Sequence, residues 1–199
     1  MKTVFLTMFI LLGITSLSWS EKKLEKATFA GGCFWCMEKP FEQVEGVKDV
    51  ISGFTGGVKE DPSYHEVSAG NTGHCEAVEV VYDSSAVTYK ELLDVFWRNI
   101  DPTTPNRQFN DVGNQYRTGI FYHNDEQKRF AEESKKHWDD SGKFGKPIVT
   151  EIPPASKFYQ AEDYHQDYYK THSVQYKFYR FNSGRDRYLD KIWGDDRVH

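Results

Sequence analysis

The sequence predicts a two-layer α/β (α+β) domain with a mixed sheet, and three observations predict it. Its 199 residues suffice for one ordinary domain with a substantial core. Hydrophobic residues make up 38% and charged residues 28%, which is a globular balance. The predicted elements run β-α-β-β-α-β-α-β, an alternation of helix and strand broken by one direct strand-to-strand step.

The chain begins with a segment that does not belong to that domain. Lys2 gives a short positive region, residues 4–17 are mostly apolar, and Ser18-Trp19-Ser20 places small residues before Glu21-Lys22-Lys23. This three-part pattern reads as a secretory signal peptide over residues 1–20. Its apolar run falls short of the roughly 20 residues that a spanning helix needs. No later segment approaches that length, so the expected mature protein (residues 21–199) is a single soluble catalytic domain without a membrane span. Periplasmic or secreted localisation is expected.

The elements follow in order. Residues 27–30 form a short strand running into Gly31-Gly32. Residues 34–44 carry apolar side chains at Trp35, Met37, Phe41 and Val44, an imperfect helix interrupted by Pro40. Residues 47–54 form a strand that ends at the turn Thr55-Gly56-Gly57. Residues 77–82 alternate cleanly and form another strand. Thr88 with Glu91 makes a capping box for a helix through Ile100, with Leu92, Val95, Phe96 and Ile100 on one stripe. Residues 119–122 form a strand, and Asp125 begins a helix ending near Gly142. Residues 148–152 form a last strand, closed by Pro153-Pro154. From Ala161 onward, one helix followed by irregular structure is expected.

The net charge of -5 gives no indication of a nucleic-acid partner. Three cysteines, Cys33, Cys36 and Cys75, are an odd number for an exported protein and flag a reactive thiol. Gly31-Gly32-Cys33-Phe34-Trp35-Cys36 follows a predicted strand and opens a predicted helix. A thiol at a helix N-terminus faces unsatisfied N–H groups, which favour the nucleophilic thiolate. Cys36 lies one turn on and within reach of a disulfide. A structural disulfide, or a zinc site completed by Cys75, His74 or His65, is the competing reading, but no second C-x-x-C or H-x-x-x-H exists.

Three further polar stretches end at strands or open a helix. They are Tyr64 to Glu76, Asn110 to Arg117 and Ala161 to Gln166. In the first, Glu76 stands at the mouth of a strand beside glycines, where a carboxyl can serve as a general acid.

Together these stretches resemble the A-type peptide methionine sulfoxide reductases, from about Lys26 to at least Tyr169. The anchors are Gly32-Cys33-Phe34-Trp35, Gly53-Phe54-Thr55-Gly56-Gly57, Thr72-Gly73-His74-Cys75-Glu76, Gly113-Asn114-Gln115-Tyr116-Arg117 and Ala161-Glu162-Asp163-Tyr164-His165-Gln166. The resemblance implies a ferredoxin-like sandwich and reduction of the S epimer of methionine sulfoxide, protein-bound or free. By match to its motifs, Cys33 attacks the sulfoxide sulfur and Glu76 protonates the departing oxygen. Tyr64 and Tyr116 hydrogen-bond that oxygen, Asp111 lines the same polar side, and Phe34 and Trp35 hold the substrate methyl group.

The tail from Ser183 to Gly194 lacks the cysteines that many relatives use to resolve the sulfenic acid. Cys36 is therefore the expected resolving thiol, as in relatives with this C-F-W-C form, and Cys75 a spectator, with a second resolving role left open. No metal or organic cofactor is implied, and reducing equivalents are expected from a thioredoxin-like protein or a dithiol. A monomer is expected. The alternative function is an exported thioredoxin-type thiol–disulfide oxidoreductase, which has no use for Glu76 or the two tyrosines.

Overall fold

The computed structural model describes residues 23–197, and the predicted signal peptide lies outside them. The first half contains β1 (Leu24–Gly31), α1 (Trp35–Glu42), β2 (Val47–Thr55), α2 (Tyr64–Ser68), β3 (Cys75–Asp83) and α3 (Tyr89–Arg98). Next come β4 (Arg107–Gln108), β5 (Asp111–Val112), β6 (Thr118–Phe121), α4 (Asp125–Asp140) and β7 (Tyr159–Gln160). The chain then ends in α5 (Tyr168–Thr171), α6 (Ser173–Ser183) and α7 (Arg185–Trp193). Single 3-10 turns at Asn114–Tyr116 and Asp163–His165 complete the parts that matter for the site.

The main sheet has the order β6-β1-β3-β2-β7, with every named pair antiparallel. Taking β1-α1-β2-β3-α3-β6 in turn gives the split βαβ path of a ferredoxin-like sandwich, with β7 added at one edge. The strand expected at residues 148–152 is reduced to single parallel bridges, Gly119 to Glu151 and Tyr122 to Pro154. Two adjacent prolines without N–H groups cannot continue a ladder. The mixed character of the sheet rests on those bridges.

Strand alternation sorts the side chains onto two faces. On the helix-covered face Phe29 stacks on Phe41 at 4.9 Å and on Phe96 at 5.3 Å, joined by Val78, Val80, Leu92 and Trp97. On the other face a smaller cluster of Ala30, Cys75, Ala77 and Phe121 is covered by Ala155 and Phe158. The Thr88 box forms as the sequence predicts, with Glu91 N–H donating to Thr88 Oγ1 at 3.3 Å. An unanticipated second box, Ser63 with Glu66, opens α2.

Two further expectations change. α1 starts at Trp35 and ends at Glu42, shorter than residues 34–44. Pro40 remains inside it, and the Cys36 carbonyl that would have bonded its N–H faces Arg180 Nη1 at 3.5 Å instead. The C-terminal region is helical almost throughout rather than one helix and then irregular structure. Its apolar and aromatic residues occupy both helix faces: Tyr176 points inward, while Val174, Phe178 and Phe181 are exposed. That blurs the period from which a helix is read. Gly184, at φ +83°, supplies the left-handed turn between α6 and α7.

Candidate active site

β1 delivers the chain into a tight loop at Gly32-Cys33-Phe34, and Gly32 takes a φ of +77° there. A Cβ at Gly32 would stand 2.5 Å from Gln108 Cβ, so the close approach of β4 also demands glycine. Cys36 N–H donates to the Cys33 carbonyl at 3.1 Å, and the two thiols are both buried and act on each other's ionisation.

β3 supplies Glu76 from its helix-facing side. Its carboxyl is 1% exposed and accepts the Phe34 N–H at 3.1 Å. Burial is the largest effect on it and, against the Phe34 bond, pushes its pKa up to about 8, with help from the charges of Asp111 and Cys36. At neutral pH Glu76 therefore carries a proton. Tyr64 opens α2, and Tyr116 ends the turn that Gly113 begins. Burial first, and Glu76 second, raises both phenols far above their ordinary range, so both remain donors. Neither hydroxyl is hydrogen-bonded among the described residues. Asp111 on β5 accepts the Tyr179 hydroxyl, and burial raises its pKa.

The apolar side is a stack of rings. Phe34 is buried and lies 6.2 Å from Tyr64 and 5.1 Å from His165. Trp35 stacks on Tyr168 at 3.8 Å and donates Nε1–H to His165 Nδ1 at 3.2 Å. Gln166 fixes that histidine's turn by clasping the Ser52 backbone, accepting its N–H at 2.9 Å and donating to its carbonyl at 3.0 Å. Glu38 of α1 adds a second clasp, accepting the Asp167 N–H at 3.0 Å. Glu162 accepts the Tyr64 N–H at 3.1 Å, so the whole 161–167 stretch braces the pocket.

The structure thus brings Cys33, Cys36, Glu76, Tyr64, Tyr116, Asp111, Phe34 and Trp35 to one place. The helix start differs from the expected one. Phe34 is the N-cap of α1, so Cys33 lies just outside the helix, and the freed Phe34 N–H serves Glu76 instead. Burial, the Cys33–Cys36 hydrogen bond and the Cys36 charge raise the Cys33 thiol. Cys36 is lowered to about 6, first by the hydrogen bond from Cys33 and then, against burial, by Arg185 and Arg180. The two sulfurs titrate as a pair, and Arg185 and Arg180 favour one negative charge on it.

Sequence reasoning missed Tyr179, Arg180 and Arg185. Tyr179 on α6 donates to Asp111 and lies near Cys33, and its ring meets Trp35 edge-on at 5.8 Å. Tyr176, Tyr179 and Arg180 stand at helical spacing, the one signal that could have found them. Cys75 lies on the opposite sheet face, donates to Thr55 O at 3.4 Å, and burial pushes it up to about 11. His74, a ligand in the zinc alternative, spends both ring nitrogens on backbone: Gly57 N–H at 3.1 Å and Lys59 O at 2.8 Å.

A proton-bearing carboxyl, two idle phenols and a thiol pair converge beside an aromatic pocket, which suits removal of oxygen from an oxidised thioether. Comparison with known proteins agrees. The family model for peptide methionine sulfoxide reductase matches residues 25–197. The peptide methionine sulfoxide reductase MsrA of Bacillus licheniformis is 53% identical over 173 residues, covering 87% of this chain and 96% of the relative. Methionine sulfoxide reductase A of Corynebacterium diphtheriae superposes with a TM-score of 0.72 at 37% identity, covering 76% of each chain. Reduced Mxr1 from Saccharomyces cerevisiae gives 0.72 at 33% identity, covering 80% of this chain and 91% of that one. These matches set aside the thioredoxin-type alternative: the chain belongs to the peptide methionine sulfoxide reductase family.

Proposed function

We propose that this chain reduces the S epimer of methionine sulfoxide, protein-bound or free, with Cys33 as nucleophile, Glu76 as acid and Cys36 as resolving thiol. The observation that carries the reading is the buried Glu76 carboxyl, proton-bearing at neutral pH and bonded to the Phe34 N–H beside Cys33. Sulfoxide oxygen leaves only once it is protonated, and the carboxyl supplies that proton as Tyr64 and Tyr116 donate to the same oxygen. Phe34 and Trp35 receive the S-methyl group, and donors on one side with rings on the other distinguish the two hands of the sulfur. The oxygen ends as a hydroxyl on Cys33 sulfur, the substrate gains two electrons, and the Cys33 proton refills Glu76. The Cys36 thiolate then attacks the Cys33 sulfenic acid. A sulfur–sulfur bond forms, the sulfur–oxygen bond breaks, and the hydroxyl leaves as water with the Glu76 proton.

A dithiol donor of thioredoxin type then reopens the disulfide. Mxr1, to which this chain is similar, is known in complex with Trx2. We also read residues 1–20 as an export signal and residues 21–199 as one monomeric catalytic domain, on the sequence pattern alone.

One experiment tests the chemistry. Reduced protein given one equivalent of S-methionine sulfoxide is expected to release methionine and lose two thiols as a Cys33–Cys36 disulfide, seen by mass mapping. Methionine release by Glu76→Gln at the wild-type rate would remove the acid from the scheme. Export is tested by the N-terminus of protein recovered outside the cytoplasm; retention of Met1 there would refute cleavage.

A further inference from the structure

Arg185 opens α7 and is 1% exposed, yet its hydrogen bonds go only to neutral groups. Nη2 donates to the Gly31 carbonyl at 2.9 Å, while Nη1 donates to the Asn99 carbonyl and to Met37 Sδ at 3.6 Å. Among the described residues no carboxylate pairs with it. Arg180, by contrast, holds Asp186 at 2.9 Å. A guanidinium taken out of water without an anion is strongly disfavoured, so its cavity must contain negative charge.

The acceptors say where that charge lies. Gly31 precedes the Cys33 loop, and Met37 follows Cys36 directly. The guanidinium is thereby pinned beneath the loop that carries both thiols. Phe109 covers it from the far side, with its ring 4.7 Å from Cζ.

We propose that Arg185 is the counter-ion of the Cys36 sulfur, a positioning residue that keeps the resolving thiol ionised for its attack on the Cys33 sulfenic acid. This rests on Cys33 and Cys36 being the nucleophile and resolving pair. The other groups facing Cys36 divide by sign. Arg180 and the Tyr176 hydroxyl approach from α6, and Arg180 favours the anion. Asp111 on β5 opposes it, and Glu76 on β3 is uncharged near neutrality. Cys33 donates its thiol hydrogen to Cys36. Arg180 is shared with Asp186, whereas Arg185 makes no ion pair among the described residues and acts through its charge on Asp111 as well as on Cys36.

Two readouts test this on the full-length mature protein. The first is thiolate absorbance at 240 nm of the reduced protein against pH, which needs no substrate. The second is the pH profile of disulfide formation after one equivalent of methionine sulfoxide. In Arg185→Met both midpoints are expected to move up by about one pH unit, a tenfold loss of disulfide formation rate below the wild-type midpoint. Arg185→Lys, which keeps the charge, is expected to retain the wild-type midpoints. A folded Arg185→Met with an unmoved 240 nm midpoint overturns the proposal, as does an Arg185→Lys profile shifted like that of Met. If Arg185→Met does not fold, Arg185→Lys decides alone. A wild-type protein that forms no Cys33–Cys36 disulfide sinks the assignment of the pair, while the 240 nm titration still judges Arg185.

Discussion

The wall of the site built on the sheet stores a proton, whereas the wall built on the C-terminal helices stores positive charge. Glu76 on β3, with Tyr64 and Tyr116 beside it, acts on oxygen. Arg180 and Arg185 on α6 and α7 act on sulfur. The two walls therefore govern opposite limbs of the pH profile. As pH rises through about 8, Glu76 loses its proton and sulfoxide cleavage slows. As pH falls through about 6, Cys36 gains one and disulfide formation slows. One fold thus separates two chemical demands by assigning them to different layers of structure.

The largest expected effect tests what both walls serve. Cys33→Ala is expected to abolish methionine release, by a factor on the order of 10⁴ or more in single-turnover assays. Residual activity near wild type would break the comparison outright, because neither wall would then act on this sulfur.

Glu76→Gln isolates the sheet wall. A loss of about 10²–10³-fold in methionine release is expected, and the alkaline fall near pH 8 should vanish while the acid limb stays. Cys36→Ser isolates the helical wall. It is expected to release one equivalent of methionine at close to the normal rate and then stall with a thioredoxin-like donor, read as a burst without turnover. Continued turnover would hand the resolving role to another group.

Tyr179→Phe probes the seam between the walls, since this hydroxyl bonds Asp111 and lies near Cys33. A reduction of about tenfold in methionine release is expected, on the scale of one lost charge-assisted hydrogen bond. The smallest effect is on stability. Because the folded Glu76 holds its proton up to about 8, while an unfolded carboxyl ionises near 4.5, the wild type loses stability as pH rises between those values. Glu76→Gln should therefore be more stable than wild type at pH 7, by about 3 kcal/mol, and equal to it at pH 4. Urea denaturation at both pH values measures this.

The walls also differ in how far the sequence reveals them. Residues of the sheet wall sit in strands and tight turns, where alternation, glycine and capping signals are local; Thr88 with Glu91 and the 77–82 strand were legible for that reason. The helical wall depends on contacts between residues far apart in the chain. Arg185 meets Gly31, and Gln166 clasps Ser52, and no local pattern announces either. The electrostatics of the thiol pair show the same limit: placing Cys33 at a helix start favours a thiolate there, but the cations that also act on the pair arrive from α6 and α7, which no local pattern places. The family motifs located most of the side chains that line the site without revealing the cations that face its sulfurs.

Cys75 has a consequence of its own. Sealed on the back of the sheet against the Thr55 carbonyl, it is kept apart from the working pair on the other face. A repair enzyme must meet oxidants, and a third thiol beside that pair would invite mispairing and dead-end crosslinks. Here only unfolding exposes it, so its labelling under native conditions serves as a built-in gauge of damaged molecules.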